Sequence, residues 1–271
     1  MRRRSTVSVV AQNIYDDDEF FAAYSGLPRS VHGLDGAAEW PTLRDMLPPI
    51  AGRRIVDLGC GFGWFCRWVA EAGARSVLGI DLSENMLARA AADTADERIA
   101  YQRQDLDSVE LPTAGFDLAY SSLTVHYLTD LDRFMATVHR SLVEGGSFVF
   151  SAEHPIYTAP TAPGFVMDGA GRQTWPLDGY LREGPRITDW LAPGVVKQHR
   201  TIATYLRHLR MAGFEVTELV EWGPSAEQLA DAPEWAVEVE RPPFLLVAAR
   251  RPLIEPLIEP AAGDDIGTVL A

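Results

Sequence analysis

The chain has 271 residues, enough for one large α/β domain or two small ones, and its 47% hydrophobic content excludes global disorder. A net charge of −14 disfavours a nucleic-acid partner, because a phosphate backbone calls for a basic face. No segment reaches the roughly 20 apolar residues of a membrane span, and the start, MRRRSTVSVVAQN, lacks the apolar stretch of a signal peptide.

In chain order, residues 1–50 read as a helical cap. Asp16 to Asp18 precede Phe20, Phe21 and Tyr24, a helix start, and Trp40, Leu43 and Leu47 recur at helical spacing behind Pro41. From Arg54 strands and helices alternate. Ile55–Asp57 is a buried strand, Trp64–Ala72 a helix closed by Gly73, and Val77–Ile80 a strand ending at Asp81. Ser83 caps a helix that buries Met86, Leu87, Ala90 and Ala91. Ile99–Gln102 and Phe116–Tyr120 are strands; Asp130 caps a helix stopped by Gly145–Gly146, and Ser147–Ala152 is the fifth strand. Alternation of this kind predicts parallel strands joined by right-handed crossovers.

Residues 154–196 then lose all periodicity and are rich in Pro and Gly, which predicts a lid or substrate insertion within a domain spanning 51–251. A helix at Ile202–Met211 and strands at Phe214–Val220 and Phe244–Ala249 complete that domain; residues 252–271 read as a disordered tail. Cys60 and Cys66 fit no zinc or redox spacing and no metal is expected, so packing in a reducing, cytoplasmic setting is the reading for both.

The stretch IVDLGCGFGW places Gly59, Gly61 and Gly63 between a strand and a helix, where backbone can approach a ligand closely. A dinucleotide site wants its third glycine at position 64, which is Trp. Asp57 just before the loop would repel phosphates and suits an ammonium group, although it could instead tie the loop to neighbouring N–H groups. A phosphate-free nucleoside with a positive charge fits, and S-adenosylmethionine is such a ligand; Asp81 is placed for its ribose hydroxyls.

Taken together, VDLGCGFGW, GIDLSENML, QDLDSVELP, FDLAYSSLTVHYL and LVEGGSFVFS resemble the class I S-adenosylmethionine-dependent methyltransferases, in particular the small-molecule, ubiquinone-biosynthesis-type group. The resemblance covers residues 50–152, and more loosely the strands to about 250. It implies an α/β, Rossmann-like seven-stranded sheet of order 3-2-1-4-5-7-6, strand seven antiparallel, with helices on both faces and the lid after strand five. It also implies that Asp57, Gly59, Cys60, Gly61 and Gly63 hold the methionine end of the cofactor. Asp81 would take the ribose with Leu82 beside the adenine, Asp105 and Leu106 the adenine edge, and Ser121 would lie near the sulfonium. Tyr24 and Arg29 are candidates for contacts from the cap.

For the acceptor side, His154, His126 and Glu153 are the candidate bases near strand ends; Pro155 holds His154 in extended backbone at the sheet's carboxyl edge. Trp175 and Trp190 either line an apolar acceptor pocket or anchor the insertion. The expected partner is a small-molecule acceptor, with no nucleic acid and no membrane; YSSL stands where amide-methylating nucleic-acid enzymes carry N-P-P-[YF]. A nicotinamide-dependent oxidoreductase and a non-catalytic S-adenosylmethionine-binding protein are the alternatives. The atom methylated and the oligomeric state, a homodimer included, stay open.

Overall fold

The computed structural model describes residues 12–253, so the expected tail lies outside the described residues except for Pro252 and Leu253. Three short helices come first: α1 (Asp18–Ser25), α2 (Pro28–Val31) and α3 (Trp40–Asp45). Asp17 caps α1 by accepting from Phe20 N–H, and prolines start the other two, where a missing N–H costs nothing. A partly buried ion pair, Arg29 to Glu39 at 2.9 Å, ties these helices together, and the Arg29 guanidinium lies over the Phe244 ring.

The alternating section follows as β1 (Arg54–Leu58), α4 (Trp64–Glu71), β2 (Ser76–Asp81), α5 (Glu84–Ala92), β3 (Ile99–Arg103), β4 (Phe116–Ser121), α6 (Leu131–Ser141) and β5 (Leu142–Glu153). Ser83 and Asp130 cap α5 and α6 as their sequence positions predict. One boundary moves. Gly145–Gly146 do not stop α6; it ends at Ser141, and the glycines lie inside β5. The fully buried Leu142 pairs with Phe116 of β4, so tertiary pairing takes the chain into the sheet before the glycines are reached.

The insertion holds a short helix, α7 (Pro155–Thr158), and two hairpins, β6 (Val166–Met167) with β7 (Gln173–Thr174), and β8 (Gly184–Thr188) with β9 (Val195–His199). Then come α8 (Ile202–Ala212), β10 (Glu215–Trp222), α9 (Ala226–Asp231), a 3₁₀ turn at Pro233–Val239 and β11 (Phe244–Arg250). The last α-helix and the 3₁₀ turn went unread in the sequence.

The seven-stranded sheet has the order β3-β2-β1-β4-β5-β11-β10. All neighbours are parallel except β11, which runs antiparallel to both β5 and β10. This is the implied Rossmann-like arrangement, strand seven included. One face packs on α6 and α8 through Phe134, Met135, Val138 and Leu209; the other packs on α3 and α4 through Leu43, Phe65 and Val69. Among the described residues no helix is long and apolar enough to cross a membrane.

Candidate active site

The site begins where β1 gives way to α4. Gly59, Gly61 and Gly63 all take positive φ, at 86°, 51° and 72°, but for different neighbours. A Cβ on Gly59 would overlap Thr124, and one on Gly63 would overlap the Tyr101 hydroxyl, so both are packing glycines. A Cβ on Gly61 would meet nothing within 4 Å; it would project into open space. Gly61 donates its N–H to Asp81 Oδ2 at 2.9 Å, while Ser83 N–H bonds Asp81 Oδ1 at 3.0 Å. The end of β2 thereby fixes the glycine loop. Burial raises the Asp81 carboxyl above its ordinary range, against the backbone bonds that pull it down.

These residues open onto a cavity of about 530 Å³ at the carboxyl ends of the parallel strands, where open α/β sheets bind ligands. Its walls include Gly59, Gly61, Asp81, Leu82, Met86, Asp105 and Leu106 at one end, and His126, Glu153, Tyr157, Glu238 and Arg241 at the other. Asp105 Oδ1 accepts from Asp107 N–H at 2.9 Å, which holds the carboxyl in a tight turn. Tyr24 and Arg29 line the cavity from the helical segment.

Residues 12–16 cross this cavity as a strap. Asp16 accepts from Ser83 Oγ at 2.5 Å and Asn85 N–H at 3.1 Å, on the first turn of α5. At the strap's start, Gln12 bonds Gly194 O and Val196 N–H, both at 2.9 Å, next to the β8–β9 hairpin. Tyr15 between them lies edge-on to Tyr24 and Phe20, and Trp190 of the insertion packs on that same pair. Trp190 thus lines the cavity, whereas Trp175 does not; its indole N–H bonds Ile156 O at 3.1 Å and anchors the insertion.

Residues 56–150 match the family described as "Methyltransferase domain". A Haemophilus influenzae protein is 33% identical over 251 residues, covering 88% of this chain and 97% of that protein. The crystal structure of an S-adenosylmethionine-dependent methyltransferase from Mesorhizobium loti is 60% identical and superposes with a TM-score of 0.79, over 81% of this chain and all of that one. The chain belongs to the class I S-adenosylmethionine-dependent methyltransferases. Malonyl-[acyl-carrier protein] O-methyltransferase of Erwinia billingiae matches more locally, at 38% identity over 101 residues, 37% of this chain and 39% of that protein.

S-adenosylmethionine is the methyltransferase's cofactor, and the cavity has the chemistry for it. Gly61 leaves a cradle that any side chain would fill. Around that cradle stand Asp81, Asp105 and Asp107, which suit hydroxyl and amino donors and oppose phosphate. Arg29, which lines the cavity from the helical segment, is committed to Glu39 through two bonds of 2.9 and 3.1 Å.

Five residues expected at the site stand behind it. Asp57 is 2% exposed and accepts the Cys66 thiol at 3.3 Å; it does not line the cavity. Cys60 is buried, and Gly63 serves its contact with Tyr101. Ser121 is fully buried and donates to Leu58 O at 2.7 Å, a bridge between β4 and β1; Ser122 takes the cavity position instead. His154 is fully buried and turned away from the cavity. Its Nδ1 accepts from Ile156 N–H at 3.0 Å, capping α7, and its Nε2 meets Glu221 at 2.9 Å. Pro155 fixes the backbone direction as expected, but the side chain is spent on the helix that Pro155 begins.

His126 does line the cavity, but its Nδ1 accepts Glu153 N–H at 3.3 Å, which puts the proton of the neutral ring on Nε2. Burial, with Lys197 and Arg200 adding to it, holds this histidine well below its ordinary pKa. The lowered pKa disfavours the protonated ring. Glu153 differs. Its Oε1 bonds Lys197 Nζ at 2.5 Å, while Oε2 has no hydrogen-bond partner among the described residues. Tyr15, Tyr127, Glu238 and Arg241 were missed in the sequence; only the acid–aromatic run around Tyr15 could have signalled one of them.

Two expected outcomes follow from these positions. Gly59→Ala costs stability through its overlap with Thr124 on top of its positive φ, whereas Gly61→Ala costs less, through the strain of its positive φ alone, and weakens cofactor binding; thermal melts and calorimetry separate the two. Asp57 is pushed up to about 7 by burial, against the Cys66 bond. Its folded-state pKa lies above the unfolded value, so its stabilising contribution is complete below the ordinary carboxylate pKa and is lost as pH climbs through about 7. Asp57→Asn removes that loss. Urea unfolding is expected to show the variant gaining on the wild type between about pH 4 and about pH 7, with no further gain above that.

Proposed function

We propose that the chain transfers the methyl group of S-adenosylmethionine to a small-molecule acceptor enclosed beneath the insertion 154–196. The observation that carries this reading is the cavity itself, which runs from the glycine loop to Glu153 and Arg241 and is roofed by Tyr15, Tyr24 and Trp190. An end roofed by aromatic side chains suits a small acceptor better than a polymer, and the net charge of −14 opposes nucleic acid.

In this reading Gly61 lets the backbone approach the methionine moiety, Asp81 takes the ribose hydroxyls, and Asp105 and Leu106 meet the adenine with Leu82 and Met86 against its faces. The bound cofactor supplies a methyl group on a sulfonium for in-line displacement. Glu153, fixed by Lys197, accepts the hydrogen bond or proton of the attacking group through Oε2. Lys197 itself is buried and lies 4.8 Å from the Trp190 ring centroid, so the insertion holds the carboxylate in place. His126 offers its Nε2–H as a fixed donor on the same side. The strap excludes water from the reacting end.

The test is calorimetry with S-adenosylhomocysteine and with NADH, then incubation with methyl-labelled donor and a panel of phenols, amines, carboxylates and bulk tRNA. Binding of S-adenosylhomocysteine and labelling of a small acceptor is the expected outcome. Labelling confined to tRNA, or cofactor binding with no transfer, contradicts it.

A further inference from the structure

We propose that Arg241 recognises an anion on the methyl acceptor, and that the acceptor therefore carries a carboxylate besides the group that is methylated. The inference rests on the reading of the cavity given above. Arg241 is 6% exposed, yet it lines the cavity. Its guanidinium carbon lies 4.4, 5.0 and 4.3 Å from the ring centroids of Tyr157, Phe165 and Trp175. Those rings cover the faces of the cation and satisfy none of its N–H groups, which radiate in the guanidinium plane.

What meets that plane is incomplete. Glu238 Oε2 lies 3.0 Å from Arg241 Nη1, and Nη2 donates to Glu238 Oε1 at a long 3.4 Å. Arg241 Nε and Nη1 and Glu238 Oε2 nevertheless make no hydrogen bond among the described residues. A guanidinium has five donors and keeps its charge in a protein, so a buried one with a single long bond is under-satisfied. Arg29, which also lines the cavity, makes two good bonds to Glu39 and has no such deficit. Burial also raises the Glu238 carboxyl above its ordinary range, which eases its release when a ligand's carboxylate takes its place.

The chain sets Arg241 deliberately. Pro242 and Pro243 restrict the backbone ahead of β11, whose first residue, Phe244, is the register partner of Glu153. Arg241 and Glu153 therefore come to the same end of the sheet, with Tyr157 lining the wall beside both. An acceptor held by its carboxylate at Arg241 presents a protonated oxygen or nitrogen to Glu153. The planar fork matches a carboxylate in two bonds, and the neighbouring Glu238 and Glu153 penalise a dianionic phosphate. An amine is opposed by like charge, because the aromatic cage is already filled by Arg241's own cation.

The experiment uses the full chain saturated with S-adenosylhomocysteine. It is titrated with benzoate, phenylacetate, 4-hydroxybenzoate and hexanoate, each beside its primary amide, and with phenyl phosphate, followed by calorimetry and tryptophan fluorescence. At least one acid is expected to bind about ten- to a hundredfold tighter than its amide and tighter than the phosphate. Arg241→Met erases that gap, Arg241→Lys keeps part of it, and Glu238→Gln widens it, with the S-adenosylhomocysteine affinity constant throughout. Acids and amides that bind alike, or not at all, overturn the proposal, as does a preference that survives in Arg241→Met or one that favours the phosphate. A wild-type protein that fails to bind S-adenosylhomocysteine overturns the cofactor reading instead.

Discussion

Replacing Asp81 by alanine lowers the affinity for S-adenosylhomocysteine by about 1–3 kcal/mol, a rise in Kd of about five- to 150-fold. The carboxylate does two things that alanine cannot. It holds Gly61 N–H and Ser83 N–H, at 2.9 and 3.0 Å, and so sets the loop that forms the cradle. It also faces the cavity with lone pairs left over for a pair of hydroxyls. Asp81→Asn keeps the size and loses one acceptor, so its affinity falls between the two. Isothermal calorimetry decides the matter, and an unchanged Kd in the alanine variant would remove Asp81 from the ribose.

Glu153→Gln lowers kcat by about 10²–10⁴ while the affinity for S-adenosylhomocysteine stays within about twofold. The amide keeps the volume and one bond to Lys197, but cannot take a proton and can turn its NH₂ toward the acceptor. The loss belongs in kcat because Glu153 stands at the far end of the cavity from Gly61 and Asp81. His154→Ala behaves differently. It removes the cap of α7 and the contact to Glu221, costing about 0.5–2 kcal/mol of stability, with no selective effect on turnover. Steady-state kinetics on both variants, paired with denaturant melts, distinguishes a residue that meets the acceptor from one that holds the fold. Turnover lost in the histidine variant and kept in Glu153→Gln would reverse these roles.

The cofactor end of the site is legible in the chain because it is local. A strand, a glycine loop and a helix follow one another within residues 54–71, Asp81 ends a strand, and Asp105 lies just past the end of the next. The acceptor end is not local. Glu153 and His154 are adjacent, and periodicity gives each a face but not which face meets the cavity; that is set by α7 and by Glu221 on a strand much later in the chain. Ser121 and Ser122 pose the same one-residue ambiguity, resolved by the bond from Ser121 to Leu58. The cage of Arg241 is drawn from α7 and the insertion, where no periodicity announces contacts. Even Gly145–Gly146, a plausible helix stop, yields to the pairing of Leu142 with Phe116.

The most direct test of the account is a crystal structure of the protein soaked with S-adenosylhomocysteine. The ribose is expected on Asp81, the adenine beside Leu82 and Asp105, and the sulfur directed toward Glu153. A nucleoside bound outside this cavity, or a pyrophosphate seated on Gly61, would contradict it.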